Sequence, residues 1–248
     1  MNPGRPSHSL PARYNLATEM MCSASRNGQP FSMMIVGRKH YVFNSLADIA
    51  TIHKKNSLDI KNFVILLYSS LFGMSKKDAA QLDAIKPKLH DLNTKYLLNS
   101  KNNAVEASRY FTALNKQFNA LDDEIKESAT SSVTKDGFVF VADTQGTSTV
   151  RAYFGQTLLD LDPKLLKHLS ILAGEGLWPL LSGAPHFFFP KPITARERAV
   201  QNYRDWIKMV EKDDSLTSPF LVSRMNLLRE QGFGEDARAR ELLSLLFG

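Results

Sequence analysis

The stretch Ala195-Arg-Glu-Arg-Ala-Val-Gln-Asn-Tyr-Arg-Asp-Trp-Ile-Lys-Met-Val210 reads as an amphipathic helix over about 194–211. Val200, Tyr203, Trp206, Ile207 and Val210 recur at steps of three and four, so one face is apolar and carries two large aromatic rings. Arg196, Glu197, Arg198, Asp205 and Glu211 give the same segment a mixed-charge face, which reads as solvated. A stripe this apolar has to be buried against other elements, and the segments on either side supply mostly helices.

Upstream, Pro179, Gly183, Pro185, Pro190 and Pro192 break the chain. Between them, Leu177-Trp-Pro-Leu-Leu181 and His186-Phe-Phe-Phe-Pro190 form an unusually apolar loop. Trp178, Phe187, Phe188 and Phe189 suit either core or a lipid–water interface. Helices are expected over 145–154 and 163–173, the second behind Pro163, and Gly137-Phe-Val-Phe-Val141 reads as a strand. Downstream, Pro219 opens a helix that closes near Gly232, and a last helix starts after Gly234. It ends Leu242-Leu-Ser-Leu-Leu-Phe-Gly248, an apolar run expected to need cover from a partner or further chain; the plainer alternative has Gly248 as its cap and the helix at the domain edge.

The first part of the chain is different. Residues 1–27 read as an irregular lead-in rich in Pro, Gly and Ser. Two β-rich runs, Phe31 to Gly37 and Arg38 to Phe43, flank Gly37-Arg38-Lys39 as a hairpin. Ser45 is a candidate N-cap for a helix over 46–55, with Asp48 at its third position. Further helices are expected over 63–72, stopped by Gly73, from Lys76 to Asp83 after Ser75, another N-cap candidate, and over 86–98 with Pro87 in its first turn. A long helix over 103–128 would carry a stripe of mostly apolar members, Val105, Ser108, Phe111, Leu114/Asn115, Phe118, Leu121/Asp122 and Ile125. The expected fold is therefore mainly α with a small N-terminal β-hairpin.

Composition narrows the function classes. The 248 residues are 43% hydrophobic and 23% charged, a globular balance. With one cysteine, Cys22, there is neither an internal disulfide nor a cysteine-cluster zinc site. The net charge of +6 suits an anionic membrane surface or an acidic partner. The basic residues lie on mixed faces, and no nucleic-acid partner is expected. No apolar run is long enough to span a bilayer, and residues 1–26 lack a signal-peptide core. Six histidines (His8, His40, His53, His90, His168 and His186) form no ligand spacing, so no metal site is expected. Gly174-Glu-Gly176 and Gly232-Phe-Gly234 read as turn glycines rather than a phosphate loop. Asp122-Asp123-Glu124 and Asp213-Asp214 read as exposed helix-end acids. No catalytic residue is assigned.

The order of segments goes further. Phe154-Gly-Gln-Thr-Leu-Leu-Asp-Leu-Asp-Pro-Lys-Leu-Leu-Lys-His168 leads into Leu180-Leu-Ser-Gly-Ala-Pro-His-Phe-Phe-Phe-Pro-Lys191, then Ala195-Arg-Glu-Arg198 with Tyr203 and Trp206 beyond. This resembles the middle of fungal cytochrome P-450 chains, the heme-thiolate monooxygenases, near the branch of the sterol 7α- and 12α-hydroxylases and prostacyclin synthase. Gly28 to Phe43 resembles the first hairpin of that fold, and Leu46 to Lys54 its helix B. Ser57-Leu-Asp59 and Phe72-Gly-Met-Ser75 resemble the approach to the substrate cavity, and Gly234 to Gly248 the entry to the central helix.

The resemblance covers residues 28–248, taken as one N-terminal half of a P-450-like domain, an incomplete fold ending at the start of the central helix. It implies heme in the full-length family, a lipophilic substrate, oxygen, a P-450 reductase, and residence at the endoplasmic reticulum membrane facing the cytosol. The family's Glu-x-x-Arg pair is not found where it could serve, because its helix would lie beyond Gly248, as would the Phe-x-x-Gly-x-Arg-x-Cys-x-Gly loop, and Cys22 stands in the wrong context for the thiolate. The chain alone is therefore expected to bind no heme stably and to be inactive. The resemblance leaves only Lys88 and Lys95 as candidate heme-propionate contacts, and residues 177–190 as a membrane-surface contact. The alternative is a non-enzymatic helical interaction module that docks through 241–247.

Overall fold

Trp206 and Tyr203 are fully buried, and the fold is organised around them. The computed structural model describes residues 30–35, 38–43, 45–55, 61–182 and 185–247. The chain divides into two compact units, Met1–Ile60 and Lys61–Gly248, described separately below.

In the first unit, strands β1 (Phe31–Ile35) and β2 (Arg38–Val42) pair antiparallel, from Phe31 opposite Val42 to Ile35 opposite Arg38. The hairpin is present, but Arg38 and Lys39 belong to β2 rather than to its turn. Helix α1 (Leu46–His53) follows, and Ser45 Oγ accepts from the backbone N–H of Ala47 and Asp48, as the N-cap reading expects. The lead-in 1–27, Cys22, and the segment Ser57–Asp59 lie outside the described residues.

The second unit is helical throughout. Its helices are α2 (Lys61–Ser70), α3 (Lys76–Ala84), α4 (Lys86–Asn93), α5 (Ser100–Glu127), α6 (Gly137–Tyr153) and α7 (Gln156–Leu161). Then come α8 (Leu165–Ile171), α9 (Leu177–Leu181), α10 (Pro190–Val210), α11 (Pro219–Glu230) and α12 (Glu235–Ser244). Wider π turns, Thr94–Leu98 and Leu172–Gly176, extend α4 and α8. The observed architecture is mainly α with one small two-stranded sheet, consistent with a partial P-450 fold.

Helix α10 carries the core. Val200, Tyr203, Trp206, Ile207 and Val210 are all buried, on the face that their spacing predicts. Phe154 lies edge-on to both rings, with centroids 5.3 Å from Tyr203 and 5.4 Å from Trp206. The Trp206 indole N–H donates to the Phe154 carbonyl at 2.9 Å. Gly155 then turns the chain at φ +81°, where a Cβ would stand 2.0 Å from the Leu216 carbonyl oxygen. Phe154-Gly155 is thus a packing device: the ring fills the core, its carbonyl fixes the indole, and only glycine fits the turn.

Several expectations are corrected. Gly137–Val141 is the first part of α6, not a strand. The Asp136 side chain accepts from the Val139 N–H at 3.0 Å and starts the helix. Val139 and Val141 remain exposed, and no strand among the described residues of this unit offers them a ladder partner. Helix α5 forms, but turned away from its predicted face. Phe111 and Phe118 are exposed, whereas Glu106 and Ala113 are buried. Polar contacts set this orientation: Glu106 Oε1 accepts from the Phe220 N–H at 3.2 Å, and Arg109 Nε donates to the Ala152 carbonyl at 2.8 Å.

The glycines Gly174 and Gly176 do not end a helix, because the π turn carries α8 onward to α9, and Pro179 fits inside the first turn of α9. Gly176 is there for close approach, since a Cβ would meet the Pro192 side chain at 2.9 Å. Leu177–Leu181 is therefore helix rather than loop, and His186–Phe188 is a 3₁₀ turn. The apolar chain end is also covered from within: Leu242 and Leu243 are buried, and Leu245, Leu246 and Phe247 pack against the same core. The premise of the docking helix over 241–247 fails there.

Candidate functional site

Two places in the second unit gather chemistry: a buried ionic frame around α12, and the surface where α8, α9 and α10 meet. The frame holds the segment after α2, Phe72 to Ser75, that resembles the approach to the substrate cavity.

Arg240 Nη1 donates to the Phe72 carbonyl at 2.8 Å, and Arg196 Nη1 to the Ser70 carbonyl at 3.1 Å. Both arginines thus cap the last turn of α2, just where Gly73 reverses the chain at φ +71°. Glu197 bridges the pair, receiving Arg196 Nε at 2.7 Å and Arg240 Nη2 at 2.8 Å. Burial raises the Glu197 carboxyl, but the two guanidiniums outweigh it and hold it below the ordinary carboxylate range. Asp236 behaves alike, lifted by burial and pulled down further by Arg204 and Arg240. Arg196, read from sequence as part of a solvated face, is instead 5% exposed, because it serves carbonyls of another helix.

Deeper still, Arg224 Nε donates to Glu241 Oε1 at 2.8 Å, and its Nη2 reaches the same oxygen. Arg224 Nη1 also donates to Asn93 Oδ1 at 3.1 Å. Burial, followed by the charge of Glu241, lifts the neighbouring Tyr68 hydroxyl above its ordinary value. The helix spacing of Arg224 and Glu241 gave no sign of this pair. Seventeen residues separate them, on two different helices.

The predicted site residues do not come together. Lys88 is exposed on α4, and its Nζ donates to Gln231 Oε1 at 3.1 Å. Lys95 is exposed on the π turn, with its Nζ 5.1 Å from the centroid of the Tyr96 ring. Neither lines either of the two clefts described below. Heme iron takes an axial ligand from the protein, a cysteine thiolate in this family. Cys22 lies outside the described residues. No group of three or more His, Cys, Asp or Glu able to hold a metal ion occurs among the described residues. The acids of 122–124 and 213–214 sit at exposed helix ends: Glu124 pairs with Lys135, and Asp213 caps a 3₁₀ turn, Asp214–Leu216.

The α8–α10 surface has two features. Trp178, Phe187 and Phe188 are 63%, 75% and 65% exposed, and the two phenylalanine rings are tilted against each other with centroids 4.2 Å apart. A shallow cleft of about 460 Å³ lies between α8 and the start of α10, lined by Lys164, Lys167, His168, Lys191, Thr194 and Arg198 among others. A second cleft of about 420 Å³, between α10 and α11, mixes Glu211, Asp213 and Asp214 with Lys212, Arg229 and Arg238. No helix among the described residues is long and apolar enough to cross a membrane.

The chain is similar to a known protein. Over 226 residues, 91% of its length, it is 35% identical to the cytochrome P450 monooxygenase poxD of Penicillium oxalicum. The similarity supports the cytochrome P-450 family. The chain spans about half of that relative, 46% of its length. No family model and no solved structure matches. The similarity agrees with the order of segments read from the sequence, while the sterol-hydroxylase branch gains no support.

Proposed function

We propose that this chain is the N-terminal half of a P-450-like monooxygenase. The full protein would insert oxygen into a lipophilic small molecule, using heme and electrons from a reductase. The observation that carries this reading is the 35% identity extending over 91% of the chain. The chain's own part is scaffolding: α10 with Trp206 and Phe154 forms the core, and Arg196, Arg240 and Glu197 fix the segment after α2 that resembles the approach to the substrate cavity. The wording of residues 154–191 supports placing it near the sterol 7α- and 12α-hydroxylases and prostacyclin synthase.

Heme chemistry needs the thiolate that favours O–O cleavage. This reading places the cysteine loop in the other half of the protein, and so takes the 248-residue chain to be inactive alone. The exposed Trp178, Phe187 and Phe188 support contact of 177–190 with a membrane surface, facing the cytosol at the endoplasmic reticulum as in the family.

The test is to read the transcript beyond the codon for Gly248 and to express both lengths. The longer product is expected to carry the Glu-x-x-Arg pair and the cysteine loop, and to give a thiolate-type carbon monoxide difference spectrum; the 248-residue chain is expected to give none. A genuine stop after Gly248 in abundant transcript would overturn the proposal, and so would a thiolate spectrum from the short chain.

A further inference from the structure

The cleft between α8 and α10 concentrates positive charge beyond what the fold needs. Lys164 and Lys167 stand one turn apart at the start of α8, and Lys191 and Arg198 stand on the first turns of α10, which packs against it. Among the described residues, no acid pairs with Lys164, Lys167 or Arg198. Lys191 pairs with Glu175, and His168 Nδ1 lies 2.9 Å from Asp162 Oδ2. The arginines of the ionic frame, by contrast, are each matched to a carboxylate. Three unmatched cations facing one concavity repel each other unless an anion joins them.

Helix α10 adds to this. It is 21 residues long, and no side chain caps its N-terminus at Phe189. Pro190 and Pro192 carry no N–H, so this end adds its dipole and the Lys191 N–H, on the rim of the same cleft. A tetrahedral dianion is the ligand that meets all of these features at once. It accepts from several lysine and arginine donors together, and charge-assisted bonds of this kind are the strong ones. A carboxylate would leave most of these donors unused. We propose that the cleft of Lys164, Lys167, Lys191 and Arg198 binds a phosphate monoester group, carried either by a lipid headgroup or by a soluble molecule. The site needs no heme, so it stands or falls separately from the monooxygenase reading.

The test uses the purified 248-residue chain. Inorganic phosphate is titrated by calorimetry at constant ionic strength, and the chain is co-sedimented with phosphatidylcholine vesicles with and without phosphatidic acid. Lys164→Gln/Lys167→Gln/Arg198→Gln is compared with Lys101→Gln/Lys116→Gln, two exposed lysines of α5 outside the cleft. All five positions are exposed, and circular dichroism checks that the fold is kept. The expected result is phosphate binding that weakens by roughly tenfold or more in the triple variant and is unchanged in the control. Binding to phosphatidic acid vesicles with the same dependence assigns the group to a lipid. Phosphate binding without vesicle binding assigns it to a soluble ester. If neither probe binds, or if the control weakens binding as much as the triple variant, the proposal is overturned, because the charge then acts diffusely.

Discussion

Replacing Glu241 by leucine tests the packing argument at its most demanding point. The Glu241 side chain is 0% exposed, and that of Arg224 is 6% exposed. Leucine fills most of the volume but removes the carboxylate that holds two of the guanidinium nitrogens. Arg224 then keeps only Asn93 Oδ1 and the face of the Phe220 ring, 5.8 Å from the guanidinium carbon. Stranding a buried charge costs about 3–5 kcal/mol, out of a total stability of about 5–15 kcal/mol for a domain. Arg224→Met should cost about as much, since it strands a carboxylate whose Oε2 already lacks a partner. The double variant removes both charges and should recover most of the loss, because apolar replacement of a whole buried pair is often neutral or better. Urea unfolding of the purified chain, followed by far-UV circular dichroism, gives all four free energies, provided the slopes agree. A loss below about 1 kcal/mol for Glu241→Leu would refute the claim that this pair is desolvated, and so would a double variant as unstable as the sum of the singles.

Three further outcomes are expected. Burial pushes the Glu106 carboxyl above its ordinary range, against the opposing pull of the Phe220 N–H and Arg109. Its contribution to stability is thus complete below the unfolded carboxylate range, near pH 4, and is lost as pH rises through the raised folded value. Glu106→Gln should therefore gain on the parent chain between acid and neutral pH in urea titrations, and a pH-independent gap would contradict the assignment. Trp206→Phe should cost about 1–3 kcal/mol, from the unpaired Phe154 carbonyl and the lost indole packing; a loss under about 0.5 kcal/mol in the same assay would show that the hydrogen bond matters little. Gly155→Ala should leave little folded protein, because its Cβ would run into the Leu216 carbonyl, whereas Gly174→Ala, with nothing within 4 Å, should melt close to the parent chain.

How much of the fold was legible depends on what each segment buries. The face of α10 was readable because Val200, Tyr203, Trp206, Ile207 and Val210 are large, apolar and local in their spacing. The caps at Ser45 and Ser75 were readable for the same local reason: each Oγ meets an N–H within three residues. The orientation of α5 was not. It is fixed by Glu106 and Arg109, whose partners lie 114 and 43 residues away, and these outweigh the apolar claim of Phe111 and Phe118. The run at 138–141 failed for a related reason. β-branched residues favour a strand only where a neighbouring strand exists to pair with them, and here the Asp136 cap starts a helix first.

The site was less legible than the fold, and charge explains why. Read along the chain, Arg196-Glu197-Arg198 is a single mixed cluster, and the sequence offers no way to separate its members. In the structure, Arg196 turns inward to the carbonyls after α2, Glu197 ties it to Arg240, and Arg198 alone faces outward, into a cleft with Lys164 and Lys167. Lys164, the N-cap residue of α8, and Lys167 within it are three apart, and Lys191 and Arg198 are seven apart on the neighbouring α10. That spacing was a signal, but it becomes one site only when α8 is known to pack on α10. The converse holds for Lys88 and Lys95. They too are seven apart, yet the π turn at Thr94–Leu98 widens the helix between them, and one is tied to Gln231 while the other lies over Tyr96. Equal spacing therefore brings Lys191 and Arg198 to one cleft, whereas Lys88 and Lys95 line neither of the two clefts, and the packing of a second helix makes the difference.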